Sequence, residues 1–79
     1  LEASLINLTK TELLILSMVG RGASNDEIAK KLTSSVKTIK NHLNRTFQKL
    51  NVRNRTEAVL KGIDLGLITP ETEDRNPQI

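Results

Sequence analysis

The 79 residues suffice for one small domain, and the absence of cysteine excludes a disulfide framework and a thiolate metal site. Aromatic residues make up 1% of the chain, so the core must be aliphatic, and nucleic-acid binding by base stacking on aromatic rings is excluded. The formal net charge is +3, no apolar run is long enough to span a membrane and no leader resembles a signal peptide, so we expect a cytoplasmic protein.

Two capping boxes define the first two predicted helices. Thr9 and Glu12 have the spacing at which the side chain of each satisfies the backbone N–H of the other, so the first helix begins at Thr9. It ends near Gly20, at a glycine pair that tolerates a left-handed helix exit. Ser24 and Glu27 repeat the same pattern and begin a short second helix.

The third predicted helix has two contrasting faces. Ser35 is a good N-cap for a helix of about four turns over residues 36–50, and only a tight turn at 33–35 separates it from the second helix. Apolar residues at helical spacing form one stripe that faces the core: Val36, Ile39, Leu43, Phe47 and Leu50. The opposite face carries only cations and amides: Lys37, Lys40, Asn41, Asn44, Arg45 and Gln48.

The fourth predicted helix has more apolar surface than one contact requires. Asn51 can end the third helix in a left-handed conformation, and Asn54 with Glu57 forms a third capping box that begins a helix ending at Gly66. Val59 and Ile63 can pack against the other helices. Other apolar side chains then remain for a second copy of the chain, which predicts a dimer contact at Leu60, Leu67 and Ile68.

These elements predict an all-α fold, a compact four-helix domain that contains a helix-turn-helix. The domain covers residues 8–69, residues 1–7 are the end of a linker, and the polar, acidic segment 70–79 is a flexible tail. Because the chain does not begin with methionine, we expect it to be part of a longer protein.

Positive charge is concentrated in the middle of the chain. No acidic residue lies between Glu27 and Glu57, and this stretch holds 8 of the 12 basic side chains. Solvated faces without a function usually mix both signs of charge, so a stretch that carries only basic residues indicates a polyanionic partner. A third helix with an apolar inner stripe and a basic, amide-rich outer face suits the major groove of duplex DNA, where lysine can meet guanine and asparagine can pair with adenine.

Residues 8–66 resemble, without gaps, the LuxR-type (GerE-like) helix-turn-helix of bacterial quorum-sensing and response regulators. Residues 22–29 are similar to the family's Gly-x-Ser-Asn-x-Glu-Ile-Ala segment, and residues 38–42 to its Thr-Val-Lys-x-His recognition motif. Residues 49–52 and 54–59 resemble the segment that leads into the last helix. The resemblance implies that the chain is the output domain of a transcription regulator, and a NarL/FixJ-like response regulator of a two-component system is favoured. A receiver is then favoured as the preceding domain over one that binds acyl-homoserine lactone.

The resemblance also implies roles for individual residues. The family's base-facing positions correspond to Lys40, Asn41 and Asn44, with Arg45 as a further candidate. Its phosphate contacts correspond to Ser35, Lys37 and Thr38. Charge adds three more phosphate candidates: Lys49, Arg53 and Arg55. A dyad-related pair on DNA is also what the family uses.

The expected partner is therefore double-stranded DNA, with a second copy of the chain on that DNA and RNA polymerase as a further candidate. No cofactor, metal, small molecule or membrane is expected. His42 is the only histidine and lacks companion ligands at helical spacing, so packing is favoured over coordination. Capping explains Glu12 and Glu57 without acid–base chemistry. An enzyme is not expected because no nucleophile and base, phosphate loop or metal cluster can be assembled.

Two alternatives stay open at this point. A region-four domain of a sigma factor also contains a helix-turn-helix, but it usually shows an arginine-rich recognition helix, whereas residues 39–42 here read Ile-Lys-Asn-His. A protein-interaction adaptor that has lost DNA binding would be expected to carry acidic or apolar residues on the outer face of the third helix. That face carries neither.

Overall fold

The computed structural model describes residues 6–69, and within this range the chain forms four α-helices. Helix α1 spans Lys10–Gly20, α2 spans Asn25–Lys31, α3 spans Val36–Leu50 and α4 spans Arg55–Asp64. The all-α, four-helix class predicted from the sequence is confirmed, and each helix lies within two residues of its expected bounds. The predicted tail and most of the predicted linker end lie outside the described residues. None of the helices in the described range could cross a membrane.

Two of the three predicted capping boxes form as expected. At α1, the Glu12 N–H donates to Thr9 Oγ1 (3.1 Å) and the Thr9 N–H donates to Glu12 Oε1 (3.0 Å). At α2, Ser24 and Glu27 make the same reciprocal pair at 3.1 and 2.8 Å. Each box satisfies two backbone donors that the first helical turn leaves free, which fixes where the helix begins.

The third capping box is only half formed. Asn54 Oδ1 accepts from the Glu57 N–H at 2.9 Å, but the Glu57 carboxylate accepts from the Arg53 N–H at 2.9 Å rather than from Asn54. The backbone of Asn54 is fully extended (φ −151°), whereas Thr9 and Ser24 have φ values of −74° and −82°. We attribute the different partner of Glu57 to the extended backbone of Asn54, which places the N–H of Arg53, rather than that of Asn54, opposite the carboxylate. The cap still holds the start of α4.

The core consists of two clusters that meet at α1. The first, which we call the α1–α2–α3 core, contains Ile15, Val19, Ile28, Ala29, Ile39 and Leu43. The second, the α1–α3–α4 core, contains Leu16, Leu50 and Ala58. Ile15 and Leu16 are both fully buried, one in each cluster. Burial of such a side chain stabilises a fold by roughly 1.5–3 kcal/mol, and α1 packs against α3 in both clusters.

The chain folds back on itself after α4. Gly66 has φ +76°, and the N–H groups of Leu67 and Ile68 both donate to the Gly62 carbonyl, at 2.8 and 3.3 Å. Ile68 packs so closely that a Cβ added at Gly62 or at Gly20 would lie 3.2 Å from its side chain. The helix therefore ends at Asp64, two residues before the predicted end, because the following residues close the α1–α3–α4 core.

Candidate nucleic-acid interface

A tight turn joins α2 to α3 and fixes their relative position. The Ser34 N–H donates to the Ala29 carbonyl at 2.8 Å, and Thr33 adopts a left-handed conformation (φ 53°) to bring the chain round. Ser35 then caps α3 by accepting from the Thr38 N–H at 3.1 Å. The side chain of Ala29 is small and buried, which allows α3 to approach α2 closely. This is the predicted helix-turn-helix.

The inner face of α3 holds the helix against the rest of the domain. Three members of the predicted stripe are buried: Ile39, Leu43 and Leu50. Val36 and Phe47 are half-buried and pack at the edge. The prediction missed Thr46, which is fully buried and donates its hydroxyl hydrogen to the His42 carbonyl at 2.9 Å. Thr46 lies three residues after Leu43 and four before Leu50, a helical spacing that places it on the buried face, but the predicted stripe included only apolar residues.

The outer face of α3 presents the predicted base-facing residues together. All four are exposed: Lys40, Asn41, Asn44 and Arg45. Lys37 and Gln48 are exposed beside them, and the sequence of α3 contains no acidic residue. The face therefore offers cations and amides to a ligand, without a carboxylate that would repel a polyanion.

The first turn of α3 brings together three of the predicted phosphate contacts. Ser35, Lys37 and Thr38 are all exposed there. The Ser35 hydroxyl donates to Thr38 Oγ1 at 2.9 Å, which leaves the Thr38 hydroxyl hydrogen available for another acceptor. The positive end of the helix dipole lies at the same turn, so the geometry suits an anion.

Lys49, one of the predicted phosphate contacts, has its partners within the domain. Its Nζ lies 2.7 Å from Glu12 Oε1 and donates to the Asn7 carbonyl at 2.9 Å. Glu12 is 1% exposed, so its carboxylate depends on this ammonium group for neutralisation. Capping was expected for Glu12 and does occur, but the ion pair to α3 was not predicted.

The carboxyl group of Glu12 stays ionised despite its burial. Burial by itself raises the pKa of Glu12, but the hydrogen bond from Lys49, the Thr9 N–H bond and the charges of Lys49 and Arg45 outweigh it. The pKa of Glu12 is therefore below its ordinary value. At neutral pH the pair is a charged link between α1 and the last turn of α3.

Arg55 also has partners within the domain. Its Nη1 donates to Asn25 Oδ1 and its Nη2 to the Ala23 carbonyl, both at 2.9 Å. The half-buried guanidinium thus ties the start of α4 to the start of α2. A phosphate contact by Arg55 would therefore compete with these internal partners, whereas Arg53, the neighbouring candidate, is exposed.

The three predicted dimer residues have different surroundings. Leu60 is 61% exposed on α4. Leu67 and Ile68 are half-buried and pack against the α1–α3–α4 core. Only Leu60 therefore has its side chain largely available for a second copy. The sequence pattern could not show this, because the fold-back after Gly66 departs from helical periodicity.

The chain is similar to known bacterial regulators in sequence and in fold. The pattern of the family described as "Bacterial regulatory proteins, luxR family" matches residues 6–61. The transcriptional regulatory protein LnrK of Bacillus subtilis (strain 168) is 40% identical over 63 residues, which cover 80% of this chain and 29% of LnrK. The structure of the transcription factor GerE is similar with a TM-score of 0.75 at 37% identity, covering 78% of this chain and 92% of that one. The response regulator ChrA of a heme-sensing two-component system gives a TM-score of 0.76 at 39% identity, over 78% of this chain and 31% of ChrA.

Proposed function

The chain belongs to the luxR family of bacterial regulatory proteins, and we propose that it is the sequence-specific DNA-binding output domain of a transcription regulator. The observation that carries the proposal is the exposed, acid-free outer face of α3, which the helix-turn-helix holds away from the core. The chain spans less than a third of LnrK and of ChrA. The remainder of the regulator would be a sensory domain, and a receiver fits the similarity to ChrA best.

The dimensions of α3 suit the major groove. Its 15 residues make a helix about 22 Å long, and the groove is about 12 Å wide and admits one α-helix. In that position Lys40 would meet guanine O6 and N7, and Asn41 and Asn44 would pair with adenine N6 and N7. Arg45 lies at the edge of the same face. Each good bidentate contact contributes about 1–3 kcal/mol of discrimination between bases.

Phosphate contacts would fix the register of α3 on the duplex. Lys37 and the Thr38 hydroxyl flank the N-terminal turn of α3, where backbone N–H groups also point outward. Ser35 supports this turn as its cap, and Arg53 adds an exposed cation beyond the end of α3. These groups bind any sequence and so contribute affinity rather than specificity.

Two copies would bind an inverted repeat through α4. The exposed Leu60 supplies an apolar contact, and a two-fold pair makes the DNA half-sites mirror the symmetry of the protein. One exposed leucine on a short helix buries far less than the roughly 1,200 Å² of a standard interface. We therefore expect the chain to be monomeric when free and to dimerise on DNA.

The proposal is tested by selecting duplexes from a randomised pool and measuring affinity for the selected and a scrambled duplex at two salt concentrations. We expect an inverted repeat to be enriched and affinity to fall steeply with salt, because cations displace counterions from phosphates. Equal affinity for both duplexes would contradict sequence-specific binding. Affinity that does not change with salt would exclude the cationic face of α3 as the binding surface.

A further inference from the structure

Helix α1 carries an exposed apolar side chain that the proposed function does not use. Within residues 6–69, two large apolar residues are exposed: Leu60, at 61%, and Leu14, at 48%. Leu60 belongs to the proposed dimer contact on α4. Leu14 lies on the outer side of α1, and none of the proposed DNA contacts is on that helix. Leu14 is therefore available for a contact that the proposed DNA binding and dimerisation do not use.

Leu14 lies between two adjoining cavities that form one groove. The cavities measure about 400 and 250 Å³, and Leu14 and Leu32 line both of them. Met18 adds a further apolar wall to the larger cavity, and the smaller one extends to His42 at the side of α3. We call this surface the α1–α2 groove. None of the proposed base-contacting residues lines it, so its occupant and DNA could bind together.

The charged residues that line the groove are cations. Arg21 and Lys31 line the larger cavity, both are exposed, and no ion pair engages either of them within residues 6–69. No acidic residue lines either cavity. The surface thus consists of an apolar floor with cations beside it, which is complementary to an apolar ridge that carries carboxylates.

We propose that the α1–α2 groove binds an acidic amphipathic helix of a partner protein. Leucine-like side chains spaced three and four residues apart would pack on Leu14, Met18 and Leu32, and carboxylates beside them would lie near Arg21 and Lys31. Addition of a strand is not available here, because the described residues contain no sheet edge to extend. Two shallow cavities accept few side chains, so the contact is weak and depends on salt.

The test uses a synthetic peptide of about five helical turns, with leucines on one face and glutamates on the other. It is titrated into the ¹⁵N-labelled chain already saturated with its selected duplex, so that DNA occupies the cationic face of α3. We expect amide shifts on α1 and α2, centred on Leu14, Met18 and Leu32. A matched peptide with lysine in place of glutamate should bind at least about tenfold more weakly.

Two matched variants separate the groove from other apolar surfaces. Leu14→Glu should weaken peptide binding at least about tenfold, and Leu60→Glu should leave it unchanged. Both positions are exposed, so both variants should melt like the parent chain, and L14E should still bind a single DNA half-site normally. Shifts centred on α3 or α4, equal binding of the two peptides, or an unaffected L14E variant would each overturn the proposal. So would the absence of peptide binding to the parent chain.

Discussion

Replacing Lys49 with alanine should destabilise the fold far more than loss of an exposed lysine normally does. The substitution leaves the carboxylate of Glu12, 1% exposed, with the Thr9 N–H as its remaining hydrogen-bond donor. Breaking a fully buried ion pair costs about 3–5 kcal/mol, and Lys49 is partly exposed (33% of its side chain), so we expect about 2–3 kcal/mol. In a domain of this size that lowers the melting temperature by roughly 8–24 °C.

Thermal unfolding followed by circular dichroism measures this cost, and Lys37→Ala is the matched control. Lys37 is exposed on the same helix and has no ion pair in the described part of the chain, so its loss should leave the melting temperature nearly unchanged. Adding Glu12→Gln to the Lys49→Ala variant removes the uncompensated charge and should restore part of the lost stability. The cap function of residue 12 is largely kept by glutamine.

The same experiment distinguishes the structural role of Lys49 from a role in phosphate binding. If Lys49 contacted phosphate alone, K49A would melt like the parent chain, and the slope of log affinity against log salt would fall by about one. A K49A melting temperature within about 2 °C of the parent, with no gain from E12Q, would refute the buried ion pair.

Three further predictions follow from the same contacts. Lys40→Ala should reduce the free energy of binding to the selected duplex by about 1–3 kcal/mol and relax the base preference, whereas Lys37→Ala should weaken binding to all duplexes alike. If both variants lose the same affinity for specific and for scrambled DNA, the base-contacting and phosphate-contacting residues are assigned wrongly. Leu60→Glu should abolish cooperative binding to an inverted repeat in a gel-shift titration and keep single half-site affinity; persistent cooperativity would place the dimer contact elsewhere. Because the pKa of Glu12 is lowered on folding, its contribution to stability is complete above the ordinary pKa of the carboxyl group and is lost as the pH falls through the lowered value. Urea unfolding at pH 7 and pH 3 should therefore show a smaller loss of stability for E12Q than for the parent chain.

The features that the sequence predicts well are local ones. A capping box joins side chains and backbone three residues apart, so Thr9 with Glu12 and Ser24 with Glu27 identify helix starts without knowledge of the fold. The apolar stripe of α3 follows from helical periodicity in the same way. The capping boxes and the apolar stripe are both present in the structure, because tertiary packing favours the same local conformations. Asn51, which ends α3 with φ 58°, is a third local signal of this kind.

Contacts between distant residues were beyond prediction. Lys49 and Glu12 are separated by 37 positions, and Arg55 and Asn25 by 30. Periodicity places a cation on a helix face but does not reveal which group lies opposite that face. The position of Ile68 could not be predicted either, because its side chain packs into space beside Gly62 that exists only in the folded structure.

The internal contacts of Lys49 and Arg55 limit how much of the positive charge is available to DNA. Eight cations lie between Glu27 and Glu57, but Lys49 and Arg55 are engaged within the domain. Lys31 lines the α1–α2 groove, away from the outer face of α3. This stretch can then neutralise at most about five phosphates in each copy of the chain, so it contributes a salt slope no steeper than about −4.5 per protomer. If Lys49 exchanges its internal partner for phosphate on binding, the slope becomes steeper and K49A loses affinity as well as stability.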